Sequence, residues 1–122
     1  MEDHKISVHT DDGVWLIGTI DDCTFEAKVC DVSSGFGIDC GRVIKLFARK
    51  NQRQRQRQRQ EIFSYERGWD RYPKDVHMDL CLALTKFCES LPAQGTWRKT
   101  FRKERHFLVT EDGVLEYEDD NT

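Results

Sequence analysis

One stretch alone carries a helical period. Between residues 75 and 91, Val76, Leu80, Leu84, Phe87 and Leu91 step by three or four, flanked by Met78, Cys81 and Cys88, and draw a single apolar stripe. Asp75 and Asp79 stand in the early turns and Lys86 toward the end, as the helix dipole favours, and Pro92 stops the run. Elsewhere apolar residues return with period two, which is the mark of strands. A chain of 122 residues with one such helix buries its stripe against one face of a sheet. The pattern therefore predicts an α+β fold: an antiparallel sheet of about five strands, one main helix over about 74–91, and a C-terminal β-hairpin.

The strands can be placed by their alternation. Ile6 and Val8 alternate with Ser7 and His9 in a short segment read as an edge strand, closed by the turn-forming Asp11-Asp12-Gly13. Over residues 14–20, Val14, Leu16, Gly18 and Ile20 share one face and Trp15, Ile17 and Thr19 the other, so an inner strand is expected. Asp21-Asp22-Cys23 makes a short hairpin loop. Over 24–31, Phe25, Ala27 and Val29 oppose Glu26, Lys28 and Cys30, the cleanest half-buried pattern in the chain. Over 42–49, Val43, Lys45, Phe47 and Arg49 alternate with Ile44, Leu46 and Ala48. Glu111-Asp112-Gly113 turns a hairpin between 106–110 and 114–118, and 119–122 form a solvated tail. The glycine-rich residues 33–41 have neither the G-x-G-x-x-G nor the G-x-x-x-x-G-K-[ST] spacing of a phosphate loop, and no helix follows them, so they read as a tight turn or bulge.

Phe63-Ser64-Tyr65-Glu66-Arg67-Gly68-Trp69-Asp70-Arg71-Tyr72-Pro73 joins the β-like first half to the helix. Phe63 and Tyr65 share a strand face. Gly68 marks a backbone position where a side chain is not tolerated. Asp70 is a candidate helix cap and Pro73 suits the first helical turn. Arg67, Asp70 and Arg71 offer an ion-pair set around Trp69. This is either a corner pinned by an aromatic plug or a binding surface, with Trp69 as stacking plate and the arginines as anion contacts.

Charge is segregated. Residues 1–40 hold nine acids against Lys5 and Lys28, whereas 41–60 hold eight basic side chains and no acid, within a net charge of −3. Such blocks either neutralise one another, within the chain or across a homo-oligomer interface, or aim a basic surface at an anion. Residues 50–60 form a low-complexity loop in which Arg53, Arg55, Arg57 and Arg59 interleave with glutamines; extended, it would set every arginine on one side. Trp97, Arg98, Lys99, Phe101, Arg102 and Lys103 make a second basic stretch, with aromatics. Five cysteines without tight spacing do not read as a disulfide framework or a metal site. No apolar run approaches the roughly 20 residues of a membrane span, and the first residues lack a signal-peptide pattern, so a cytoplasmic protein is expected.

Trp15, Gly18-Thr19-Ile20, Phe25-Glu26-Ala27-Lys28-Val29, Ser34, Gly37-Ile38, Gly41-Arg42-Val43, Lys45-Leu46 and above all Tyr65-Glu66-Arg67-Gly68-Trp69-Asp70 resemble, in their order, a family of small uncharacterised proteins from Gram-positive bacteria and their phages and prophages. The resemblance covers roughly residues 13–91. It implies a small β-sheet with one helix and a mobile-element origin, and supplies no activity. The Gln-Arg tract and the C-terminal hairpin depart from the pattern.

The chain shows no nucleophile elbow, HExxH, paired catalytic carboxylates or cofactor fingerprint, so no enzyme and no cofactor or metal is expected. The expectation is a single-domain, non-enzymatic binding protein acting in a bacterial host cell. One concrete form is a phage-encoded inhibitor of a bacterial defence system that binds a protein effector or sequesters a nucleotide through Arg67, Trp69, Asp70, Arg71, Trp97 and Arg98. The alternatives are a nucleic-acid binder using Arg53, Arg55, Arg57, Arg59, Lys99, Arg102 and Lys103, and a self-assembling structural module.

Overall fold

The computed structural model describes residues 3–11, 15–50, 60–92, 101 and 103–118. In chain order the elements are β1 (His4–Asp11), β2 (Trp15–Ile20), β3 (Cys23–Val29), a 3-10 turn (Ile38–Cys40), β4 (Val43–Lys50), β5 (Glu61–Glu66), β6 (Trp69–Arg71), α1 (Asp75–Glu89), β7 (Arg105–Thr110) and β8 (Gly113–Tyr117). All strands join one antiparallel sheet of eight, ordered β6-β5-β4-β3-β2-β1-β7-β8. The α+β class and the single main helix stand, but the sheet is wider than the five or so strands expected. Trp69–Arg71 pairs with β5 as a short strand, and the C-terminal hairpin continues the sheet. β1 is no edge strand: β2 pairs with one side of it and β7 with the other. Two short neighbours thus satisfy backbone groups that the sequence left facing water.

The alternation decides the core. Ile6, Val8, Leu16, Ile20, Phe25, Ala27, Val29, Leu46, Ala48, Phe63, Phe107 and Val109 are buried on the face that α1 covers. The helix contributes Cys81, Ala83, Leu84, Phe87 and Cys88, so its buried side is centred on the flank of the expected stripe. Val76, placed in that stripe by spacing, is 78% exposed. Its turn lies in the first part of α1, ahead of the helical residues that reach the core. A Cβ built on Gly18 would lie 1.9 Å from the Ser7 carbonyl oxygen, so only glycine lets β1 and β2 close to their observed spacing.

Three polar ties fix the helix to the sheet, one of them the Lys86 ammonium, which donates to the carbonyls of Thr110 (3.0 Å) and Glu111 (3.3 Å). At its C-terminal end, the Arg42 guanidinium donates to the carbonyls of Glu89 (3.1 Å), Leu91 (2.5 Å) and Pro92 (3.0 Å), and through Nε to that of Cys30 (2.8 Å). The Glu89 carboxylate accepts the Arg42 backbone N–H at 2.7 Å. A cation therefore meets the carbonyls that a helix end leaves without partners. Toward the other end, the buried His4 ring lies between two carboxylates, with Nδ1 2.6 Å from Asp21 and Nε2 2.8 Å from Asp79. Both ring nitrogens face acceptors, which suits the imidazolium. The helix start carries no side-chain cap: Lys74 occupies the cap position and Pro73 precedes it, so Asp70 does not cap α1.

Two outcomes follow for stability. Arg42→Ala removes several charge-assisted bonds at once and is expected to cost about 2–4 kcal/mol in urea unfolding. An unchanged midpoint would show that these carbonyls are as well served by water. For His4, burial opposes the charge, but the hydrogen bonds and charges of Asp79 and Asp21 outweigh it and raise the pKa above 6.5. Its contribution is thus full below pH 6.5 and is lost as pH rises through the raised folded value. The thermal midpoint of the wild type should fall over that interval more steeply than that of His4→Gln; parallel pH curves would refute the clamp.

Candidate functional site

The β5–β6 corner is where most of the expected binding residues come together. The turn is made by Arg67, in the left-handed region at φ 58°, whose N–H donates to the Ile44 carbonyl at 2.9 Å. Gly68 is not the demanding position: a Cβ there meets nothing within 4 Å and its φ is not positive. Trp69 then lies edge-on to Tyr65 (centroids 5.1 Å), Tyr72 (5.0 Å) and Phe63 (6.4 Å). Phe63 is buried, while Trp69 is 36% and Tyr72 61% exposed, so the rings climb from core to solvent. The Tyr65 hydroxyl donates to the Phe36 carbonyl at 2.7 Å, and the Phe36 side chain is 63% exposed. Burial, then the nearby Cys40 and Asp39, raise the Tyr65 pKa and keep that donor protonated.

The expected ion-pair set around Trp69 does not form. Arg71 pairs with Glu61 across the β5–β6 ladder at 3.6 Å, and among the described residues Arg67 and Asp70 make no ion pair. Alternation, interrupted by the bulge between Ser64 and Tyr65, aims Arg71 at Glu61 rather than at its sequence neighbours. Phe36 and Tyr72 were not singled out from sequence. The only signal for Tyr72 was its spacing of three from Trp69; Phe36 had none, because it stands in a loop without a period.

That loop is a compact scaffold. Ser34 N–H donates to the Gly41 carbonyl, Gly37 to Ser34, Cys40 to Gly37 and Gly41 to Ile38, and the Phe36 N–H is taken by the Ser34 hydroxyl. These five donors are spent on the loop's own fold. A Cβ on Gly37 would lie 2.0 Å from the Gly41 carbonyl oxygen, and Asp39 and Cys40 are both left-handed, at φ 52° and 59°.

A second aromatic surface lies on the sheet face turned away from α1. The Trp15 and Phe47 rings lie 6.2 Å apart at 31°, with the Lys45 ammonium 5.6 Å from the Trp15 centroid. Lys45 also pairs with Glu66 at 3.2 Å. Beside them Ile17, Thr24, Glu26, Phe47 and Arg49 line a cleft of about 120 Å³. A larger cleft of about 570 Å³ runs between the end of α1 and β7–β8, lined chiefly by Phe87, Leu91, Phe101, Phe107 and Val114. Arg105 sits at that cleft, its guanidinium 4.4 Å from the Phe101 ring centroid and 2.7 Å (Nη2) from the Glu116 carboxylate.

Of the other residues predicted from sequence, Lys103 is exposed, while Trp97, Arg98, Lys99, Arg102, Arg53, Arg55, Arg57 and Arg59 lie outside the described residues. All five cysteines are free thiols. Burial pushes Cys23 and Cys88 up to about 12 and Cys81 to about 11, which leaves these three protonated and unreactive at neutral pH. No described helix is long and apolar enough to cross a membrane.

Fold and surfaces together define an α+β chain with one sheet face covered by α1, one left uncovered by the described residues, and an exposed aromatic corner. Residues 14–89 match the family model of a domain of unknown function, DUF7678, and the chain belongs to that family. No curated protein and no solved structure matches it. The match runs from β2 through α1 and so holds the corner and the Trp15–Phe47 face; β1, β7 and β8 lie beyond it.

The backbone at the corner gives a direct check. Arg67→Gly relieves a left-handed side chain and is expected to hold or raise stability, whereas β-branched Arg67→Val should cost about 1–2 kcal/mol. Gly68→Ala should be tolerated. Equal thermal midpoints for the glycine and valine variants would contradict the assigned turn.

Proposed function

We propose that this chain is a non-enzymatic binding protein that acts by occupying a protein partner through the β5–β6 corner. The observation that carries the reading is the exposed pair Trp69 and Tyr72, stacked edge-on over Tyr65 and Phe63. Large aromatics held rigid from beneath lose little conformational freedom on binding and bury much apolar area, which is the profile of an interface anchor. Arg67 and Asp70, outside any ion pair among the described residues, supply a polar rim of both signs. The likeness to proteins of Gram-positive bacteria and their phages gives the reading its concrete form: a phage-encoded inhibitor that blocks a bacterial defence effector in the host cytoplasm. Blocking by occupancy asks for a surface and no catalytic group.

The test compares wild type with Trp69→Ala/Tyr72→Ser, both shown to be folded, and with Leu82→Ala as a surface control on α1. Each is immobilised and presented with cytosol of a Gram-positive host, and the affinity for any discrete captured protein is then measured. Loss of about 30-fold or more in the corner variant alone is expected for a pair of anchors. Equal affinity for all three would remove the corner from the interface.

A further inference from the structure

The sheet face opposite α1 is built from the alternate residues of the central strands. Register sets Trp15, Lys28 and Lys45 in one cross-strand row, Ile17, Glu26 and Phe47 in the next, and Thr19, Thr24 and Arg49 in a third. None of the described residues covers this face, and on such a face these positions are normally polar throughout. Here the two largest are aromatic rings lying side by side, with cations in the rows above and below.

We infer that this face binds single-stranded nucleic acid, with bases stacked on Trp15 and Phe47 and one base edge held in the cleft between Glu26 and Arg49. Four observations converge. Trp15 and Phe47, both half-buried, lie 6.2 Å apart at 31° on the face turned away from α1, adjacent rings of the kind on which bases stack. Lys28 and Lys45 share the row of Trp15, and Arg49 stands in the row beyond Phe47, so positive charge lies on both sides of the rings. The neighbouring cleft of about 120 Å³ is on the scale that admits one aromatic ring. Its two charged side chains are uncommitted: among the described residues neither Glu26 nor Arg49 forms an ion pair, although both line the same cleft. A carboxylate acceptor beside a guanidinium donor matches the amine and carbonyl edge of cytosine. A duplex keeps its base faces stacked internally and offers nothing to such a platform.

This surface is independent of the β5–β6 corner, so the two can fail separately. Fluorescein-labelled dC, dT and dA single strands and a duplex are titrated against the full chain by anisotropy, at about 50 and 200 mM salt. Single strands are expected to bind more tightly than the duplex, with dC preferred over dT about fivefold or more. Trp15→Ala and Phe47→Ala, each checked for folding, should weaken binding about tenfold. Glu26→Ala should abolish the preference for dC, while Trp69→Ala/Tyr72→Ser should leave binding unchanged. Absence of binding at the lower salt, or a duplex bound as tightly as the single strand, would overturn the proposal. So would wild-type affinity in the folded Trp15 and Phe47 variants: binding lost only when Arg53, Arg55, Arg57 and Arg59 become Gln would assign the contact to the tract alone. No dC preference would remove the cleft from the site.

Discussion

The guanidinium of Arg42 is the fastener on which the architecture turns. It stands just before β4 and reaches back to the Cys30 carbonyl at the end of β3 and across to the carbonyls that follow the last turn of α1. The only helix of the described chain is thereby held at the end where its partial negative charge gathers. Glu89 returns the contact by accepting the Arg42 backbone N–H, and its carboxylate stands where any Cβ on Gly41 would fall. A glycine, an arginine and a glutamate thus form one unit, and the packing of Leu84, Phe87 and Cys88 on the sheet assumes that unit is closed.

Among the described residues one α-helix of 15 residues shields one face of the eight-stranded sheet, and none of them covers the other. That asymmetry shapes the functional reading. On the covered face the side chains are apolar and packed, and chemistry there is muted, as the raised thiols of Cys81 and Cys88 illustrate. On the open face, aromatic and charged groups are displayed together. The β5–β6 corner stands at the margin of the two regimes, with Phe63 in the core and Tyr72 in solvent. Both displayed surfaces fall within residues 14–89, the segment that defines the family.

Much of this was legible in the sequence where periodicity was strong. The start of α1 at Asp75 and the alternation of β3, β4 and the C-terminal hairpin follow from residue spacing alone. What escaped was whatever depends on a partner distant in sequence. Ile6 and Val8 read as an edge strand because β7, which pairs with β1, begins only at Arg105. Asp70 looked like a helix cap and Gly68 like the strained residue because both judgements used neighbours only; the ladder with β5 gave the positive φ to Arg67. Val76 fits the helical period and is nonetheless exposed, since spacing does not report where a sheet ends. At the corner Trp69 was found by its size, whereas Phe36 comes to the site only through the Tyr65 hydrogen bond.

The strand order also bears on assembly. β7 and β8 reach the rest of the sheet through β1 alone, and β1 is seated against β2 at the point where Gly18 touches the Ser7 carbonyl. The pairing of His4 with Val109 closes nearly the whole chain into a loop, the costliest closure in the sheet, whereas β2 through β5 are linked by successive hairpins. During synthesis β1 is made well before β7 and waits for this second neighbour until Arg105–Thr110 follows. β7 and β8 are thus joined to the family segment through β1 alone, and Gly18 is the contact on which that join depends.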